Sequence, residues 1–263
     1  MQNNAPIGIF DSGVGGTSIW REIHQLLPLE QTIYLADSKY APYGEKTKDE
    51  IVELSIKNTE KLISLGAKVI IVACNTATTN AIKHLRANYT LPIIAIEPAI
   101  KPAALNTKTK AVGILATQGT LNSELFTQTS ELYARDIDII EVFGKGLVPE
   151  IEAGRQDGKE VERLLKLYLK PMLDKNIDYL VLGCSHYPYL IPKLKELLPK
   201  TVTIIDSGLA VARQTKAVLE HYNLSAISPQ PAPIFYTNSD NLEPLRQIVN
   251  TDEKRYSIHY LDF

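Results

Sequence analysis

The 263-residue chain has two cysteines, and each stands at the end of an apolar run. Cys74-Asn75-Thr76-Ala77-Thr78 follows Val69-Ile70-Ile71-Val72-Ala73, and Cys184-Ser185-His186-Tyr187-Pro188 follows Leu180-Val181-Leu182-Gly183. Both thiols have hydroxyl or amide side chains beside them. Both are expected at the mouth of a helix, where aligned N–H groups lower a thiol pKa. A single cysteine is commonly a small buried hydrophobe. Two at equivalent turns point to a joint function. Cys184 and His186 could instead ligate a metal, but His24, His84, His221 and His259 show no ligand spacing. His24 and His84 fall in helical stretches and read as helix-surface residues. A Cys-His hydrolase would leave Cys74 unexplained. No CxxC pair exists, which argues against a structural zinc site, and a cytosolic protein keeps two thiols reduced.

A second constellation is Phe10-Asp11-Ser12-Gly13-Val14-Gly15-Gly16. It reads as a strand end, a glycine loop and a helix from about Thr17, the arrangement that receives anions in parallel α/β sheets. Gly13-Val14-Gly15 is part of a dinucleotide fingerprint, and Asp37 stands where a ribose-binding acid would. Yet Ser18 replaces the third glycine, Asp11 would repel a pyrophosphate, and no Walker lysine follows. Nucleotide binding is therefore disfavoured. Pro42-Tyr43-Gly44 reads as a turn that either offers an aromatic at the sheet's carboxyl edge or packs it against that edge.

The elements that must position these residues are strands expected at 7–10, 32–36, 68–73, 92–96, 111–115, 136–142, 179–182, 202–205 and 234–236. Their continuous apolar runs suit strands buried on both faces of a parallel sheet. Amphipathic stretches alternate with them. Thr47-Lys48-Asp49-Glu50 is a capping box, Ile51, Leu54, Leu62 and Leu65 share one helix face, and Gly66 ends that helix. The chain also echoes itself: IGIFDSGVGGTS resembles AVGILATQGTLNS, and KVIIVACNTATTNAI resembles DYLVLGCSHYPYLIP. The expected fold is α/β, with two similar parallel-sheet domains related by pseudo-symmetry, each offering a strand-end cysteine. The first domain comprises residues 1–97 plus 208–263 and carries Asp11 and Cys74. The second comprises 98–207 and carries Cys184 and His186.

Composition narrows the function classes. Lys+Arg number 28 against 30 Asp+Glu, giving a net charge of -2, so a dedicated nucleic-acid binder is not expected. Hydrophobic residues make up 44%, too many for a disordered chain. The apolar runs are far shorter than the ~20 residues of a membrane span, and the first six residues carry no basic side chain. A soluble, cytoplasmic protein without a membrane partner is expected.

Taken together, Phe10 to Gly16, Pro42-Tyr43-Gly44, Ala73 to Thr78 and Leu182 to Pro188 resemble the motifs of glutamate racemases, in that family's order. The resemblance implies two facing α/β domains that bind glutamate between them, no cofactor and no metal, and a role in supplying D-glutamate for peptidoglycan. It implies that Cys74 and Cys184 are the two catalytic bases, that Asp11 assists Cys74, and that Glu152 and His186 assist Cys184. Ser12, Pro42, Tyr43, Gly44, Asn75, Thr76, Thr117, Thr120 and Ser185 would line the substrate site. A homodimer is compatible with this reading, although no residue pattern specifies one. Two departures stand out. Ser185 occupies a position where the family usually has threonine, keeping the hydroxyl. Gly144-Lys145 replaces a pair that is often Cys-Pro, while Val148-Pro149-Glu150-Ile151-Glu152 still fits.

Overall fold

The computed structural model describes residues 4–133, 136–249 and 256–263. Residues 1–3 and 250–255, which belong to the expected first domain, lie outside the described residues, as do 134–135. Among the described residues ten strands form two all-parallel sheets. The strands are β1 (Ile7–Asp11), β2 (Thr32–Ala36), β3 (Val69–Val72), β4 (Ile93–Ala95), β5 (Ala111–Ala116), β6 (Asp138–Phe143), β7 (Tyr179–Gly183), β8 (Thr203–Ile205), β9 (Ile234–Thr237) and β10 (Ser257–Tyr260). The larger sheet runs β10-β9-β2-β1-β3-β4 and the smaller β6-β5-β7-β8. The order β2-β1-β3-β4 has the same connectivity as β6-β5-β7-β8, so the sequence echo corresponds to a repeated topology.

Continuous apolar runs explain the central strands. β1, β2 and β3 are buried along their whole length, as expected where helices cover both faces of a sheet. Three helices are needed to place the site: α1 (Thr17–Leu26), α2 (Lys48–Ser64) and α3 (Asn75–Asn88). The capping box at Thr47 and Glu50 forms at the start of α2. At its end Gly66 takes φ +85, and the Gly66 and Ala67 amides close back on Ile63 and Leu62 carbonyls. One apolar cluster gathers side chains from both sheets, among them Ile9, Ile71, Leu115 and Leu182.

β10 lies beyond the nine expected strands. It is an edge strand, half exposed, and its Ser257-Ile258-His259-Tyr260 sequence lacks the apolar continuity of the others. The chain passes between the sheets after β4 and again after β8. There the Ser207 hydroxyl donates to the Glu97 carbonyl, tying the two passages together. The following helix, Gly208–His221, packs against α1.

Candidate active site

Parallel pairing puts the functional turns side by side. Asp11 ends β1 beside β3, which leads to Cys74; Ala116 pairs with Gly183, so Thr117 and Cys184 emerge together from the smaller sheet. Both pairs lie at carboxyl strand ends, where α/β sheets bind ligands.

The glycine loop after β1 is fixed from within and from across the cleft. Asp11 Oδ1 accepts the Gly13 amide at 2.9 Å, and the buried Tyr34 hydroxyl donates to the Gly13 carbonyl at 2.8 Å. A Cβ on Gly13 would overlap the Glu152 carboxylate, and one on Gly15 would overlap the His186 ring. These two glycines let the second half of the molecule seat directly on the loop. Glu152 Oε1 then accepts the Val14 amide at 2.8 Å. Ser185 Oγ donates to Asp11 Oδ2 at 2.8 Å, and Thr76 Oγ1 meets Thr117 Oγ1 at 2.9 Å.

Cys74 caps α3 and accepts the Ala77 amide at 3.4 Å, while its thiol lies 3.6 Å from Ser12 Oγ. Helix placement alone would lower this thiol. Burial instead pushes it well above its ordinary value, and the Asp11 charge adds to that; the Ala77 and Ser12 hydrogen bonds only oppose it. The expectation of a depressed Cys74 thiol is thus reversed by desolvation. Cys184 does not open an α-helix. It is followed by a 3-10 turn, Tyr187–Leu190, before the helix Ile191–Leu197. Pro188 has no N–H to give the Cys184 carbonyl four residues back, and that carbonyl accepts the Tyr187 amide instead, so an α-helical ladder cannot begin at the thiol.

His186 is the electrostatic centre of the second half. Its Nδ1 lies 3.7 Å from Cys184 Sγ and its Nε2 is 2.5 Å from Glu152 Oε1. Burial alone would lower the imidazole. The hydrogen bonds to Cys184 and Glu152, with the charges of both, overcome this and hold it well above its ordinary value. Both ring nitrogens have polar neighbours, Cys184 on one side and Glu152 on the other. Asp11 is raised, chiefly by burial, with the His186 charge opposing. Its hydrogen bonds go to Gly13 and Ser185, and among the described contacts none goes to Cys74.

The structure gathers Ser12, Pro42, Tyr43, Gly44, Cys74, Asn75, Thr76, Thr117, Cys184, Ser185 and His186 around one cavity. Of the residues expected from the sequence, Asp11, Glu152 and Thr120 stand behind this wall. Thr120 supports Thr117 through a 2.9 Å hydroxyl contact. Tyr43 turns its phenol away and donates to the buried Asp37, so both readings of the Pro-Tyr-Gly turn hold in part: the turn lines the cavity while the aromatic packs against the sheet edge. Val148 completes the lining; sequence reasoning passed over it, although its segment had been matched. Asn75 is 1% exposed and neither end of its amide has a partner, a state that calls for a polar ligand. The cavity encloses about 10 Å³, room for roughly one water. His24, expected on a helix surface, is instead half-buried and stacked on Trp20 at 5.2 Å between ring centres. Among the described residues no helix is long and apolar enough to cross a membrane.

Residues 7–215 match the family model described as Asp/Glu/Hydantoin racemase. The chain is 46% identical over 240 residues to the glutamate racemase of Ectopseudomonas mendocina, covering 91% of each. It is 44% identical to that of Pseudomonas aeruginosa, covering 90% of this chain and 89% of the relative. Among solved structures it resembles glutamate racemase isoform RacE1 of Bacillus anthracis, with a TM-score of 0.88, 29% identity and coverage of 100% and 99% of the two chains. It also resembles the Escherichia coli glutamate racemase in complex with L-glutamate and the activator UDP-MurNAc-Ala, with a TM-score of 0.85, 33% identity and coverage of 98% of each.

Proposed function

The chain belongs to the Asp/Glu/hydantoin racemase family, and from that membership we propose that it is a glutamate racemase working without a cofactor through two opposed cysteines. The observation that carries this reading is the pair of buried thiols, delivered by topologically equivalent strand ends to one small cavity. An aspartate racemase is the nearest alternative; the glutamate racemases among its relatives favour glutamate.

Racemisation needs a base on one face of the α-carbon and an acid on the other. Cys74 is held as a neutral thiol by burial and by Asp11. The imidazolium of His186 stands beside Cys184 and is suited to balance a negative sulfur there. In one direction the Cys184 thiolate takes the α-proton, the C–H electrons pass to the α-carbon, and the Cys74 thiol delivers its proton to the opposite face. The enzyme is then left with a Cys184 thiol and a Cys74 thiolate, supported by the Ala77 amide and the Ser12 hydroxyl. The reverse direction starts from that state. A narrow site between buried thiols limits the water that could compete for these protons. Asn75, Thr76, Thr117 and Ser185 supply donors for the substrate's polar ends.

In this reading Glu152 holds the His186 charge, and Asp11 joins the halves through Ser185 while disfavouring a Cys74 thiolate. The two domains are residues 1–97 with 208–263 and residues 98–207, a division supported by the sheet membership of the strands and by the Ser207–Glu97 tie. The D-glutamate formed supplies peptidoglycan, and the free thiols suit the cytoplasm.

The test is racemisation in heavy water. Early samples from L-glutamate should contain D-glutamate deuterated at the α-carbon beside unlabelled L-glutamate, and the mirror result should come from D-glutamate. Early label in recovered substrate, or product keeping the original proton, would exclude opposed thiols. Faster turnover of aspartate would transfer the assignment to the alternative.

A further inference from the structure

Asp37 lies just beyond β2 with its side chain fully buried, and four donors converge on its carboxylate. They are the Tyr43 hydroxyl, Lys57 Nζ at 3.0 Å, Asn58 Nδ2 at 3.1 Å and Asn238 Nδ2. A carboxylate offers about four lone-pair positions, so this set satisfies it completely. Three of the donors come from the turn itself and from α2. Asn238 comes from the far end of the sequence, past residue 215 where the family match stops.

Asn238 also reaches a second point. Its Oδ1 accepts the Lys39 amide at 3.0 Å, while its own amide extends the β9–β2 pairing by donating to the Ala36 carbonyl at 3.4 Å. The side chain is therefore rooted in the sheet and grips the 38–46 segment at its start. That segment carries Pro42, Tyr43 and Gly44, which form one wall of the cavity. Asn238 is 2% exposed, is not part of the cavity lining, and among the described hydrogen bonds makes none to a lining residue.

We propose that Asn238 is a positioning residue for the Pro42-Tyr43-Gly44 wall, acting through Asp37 and the Lys39 amide. The kinetic consequence depends on the racemase reading above; the grip on the segment does not. The wall meets substrate alike in the ground state and the transition state, so loosening it weakens binding without slowing the proton transfers.

The test is Asn238→Ala, compared with the unaltered chain by amide hydrogen exchange and by steady-state kinetics in both directions. Should the alanine variant fail to fold, Asn238→Ser, which keeps a short donor, serves the same comparison. The expected result is about tenfold faster exchange confined to residues 38–46, from loss of a hydrogen bond to a charged group. KM for L- and D-glutamate should rise about five- to tenfold by the same factor, with kcat within about twofold. In a Tyr43→Phe background the same change should add little, because both act through Asp37. Unchanged exchange in 38–46, or a lowered melting temperature with KM unaltered, would overturn the proposal. If the unaltered chain fails to racemise glutamate, the functional reading falls, while the exchange comparison still decides whether Asn238 holds the segment.

Discussion

Glu152→Gln isolates the charge that sustains His186. The substitution keeps the side chain's shape and removes its negative charge. Glu152 Oε1 accepts both the Val14 amide and His186 Nε2, and its side chain is only 17% exposed. Without the carboxylate, only the hydrogen bond to Cys184 and that group's charge oppose burial, so the imidazole pKa falls. A hydrogen bond to a charged group contributes about 1.5–3 kcal/mol and a neutral one about 0.5–1.5, so the change should cost roughly 1–1.5 kcal/mol. The sign of the pH dependence follows from linkage. A histidine raised in the folded state contributes stability that is complete below its unfolded pKa of about 6.5 and is lost as pH rises through the folded value. The unaltered protein should therefore exceed Glu152→Gln in stability most near pH 6, and the two should converge as pH rises through the folded His186 value. In kinetics, the direction that uses Cys184 as base should lose about five- to tenfold in kcat. The opposite direction should lose less, with KM shifting so that kcat/KM stays equal for the two enantiomers. Chemical denaturation at several pH values and circular dichroism of each reaction measure both effects. A stability difference that does not narrow with rising pH, or equal losses of kcat in both directions, would refute the placement of charge on His186.

Cys74→Ala and Cys184→Ala should each abolish racemisation while changing unfolding stability by only about 1 kcal/mol, since one small buried sulfur is removed; a variant with near-normal turnover would reject the two-base assignment. Gly15→Ala should push the His186 ring off the glycine loop, costing about 1–3 kcal/mol in thermal unfolding and most of the activity. Unchanged turnover in that variant would show that the loop and the ring need not meet. Exhaustive dialysis against chelator should leave turnover intact, and restoration by added metal or pyridoxal phosphate would contradict a cofactor-free reaction.

The sheet was legible because strands buried on both faces leave unbroken apolar runs, and repeated topology leaves repeated runs. β10 was not, because an edge strand needs only one covered face and its serine and histidine hide the pattern. The cysteine turns were visible as residue types, but their electrostatics were not. Sequence shows that Cys74 precedes a helix; it does not show that the folded chain buries the thiol so completely that desolvation outweighs the helix. The two prolines after His186 do announce the interrupted helix beyond Cys184. Contacts such as Glu152 with Val14, 138 positions apart, or Asn238 with Asp37, 201 apart, leave no local signature, since neither partner's neighbours encode the meeting.

A cavity of about 10 Å³ also decides who else can touch the sulfur atoms. An alkylating reagent is larger than the space, so it reaches thiols that are only 4% and 5% exposed when the side chains or halves around them move apart. At low reagent concentration the rate of modification reports the fraction of molecules open; at high concentration it levels off at the opening rate itself. Ligands that hold the halves together should shield both thiols, and ligands that wedge them apart should expose them. Cys74 and Cys184 thus act as built-in clocks for the opening that substrate entry requires, readable by mass spectrometry on the unmodified chain.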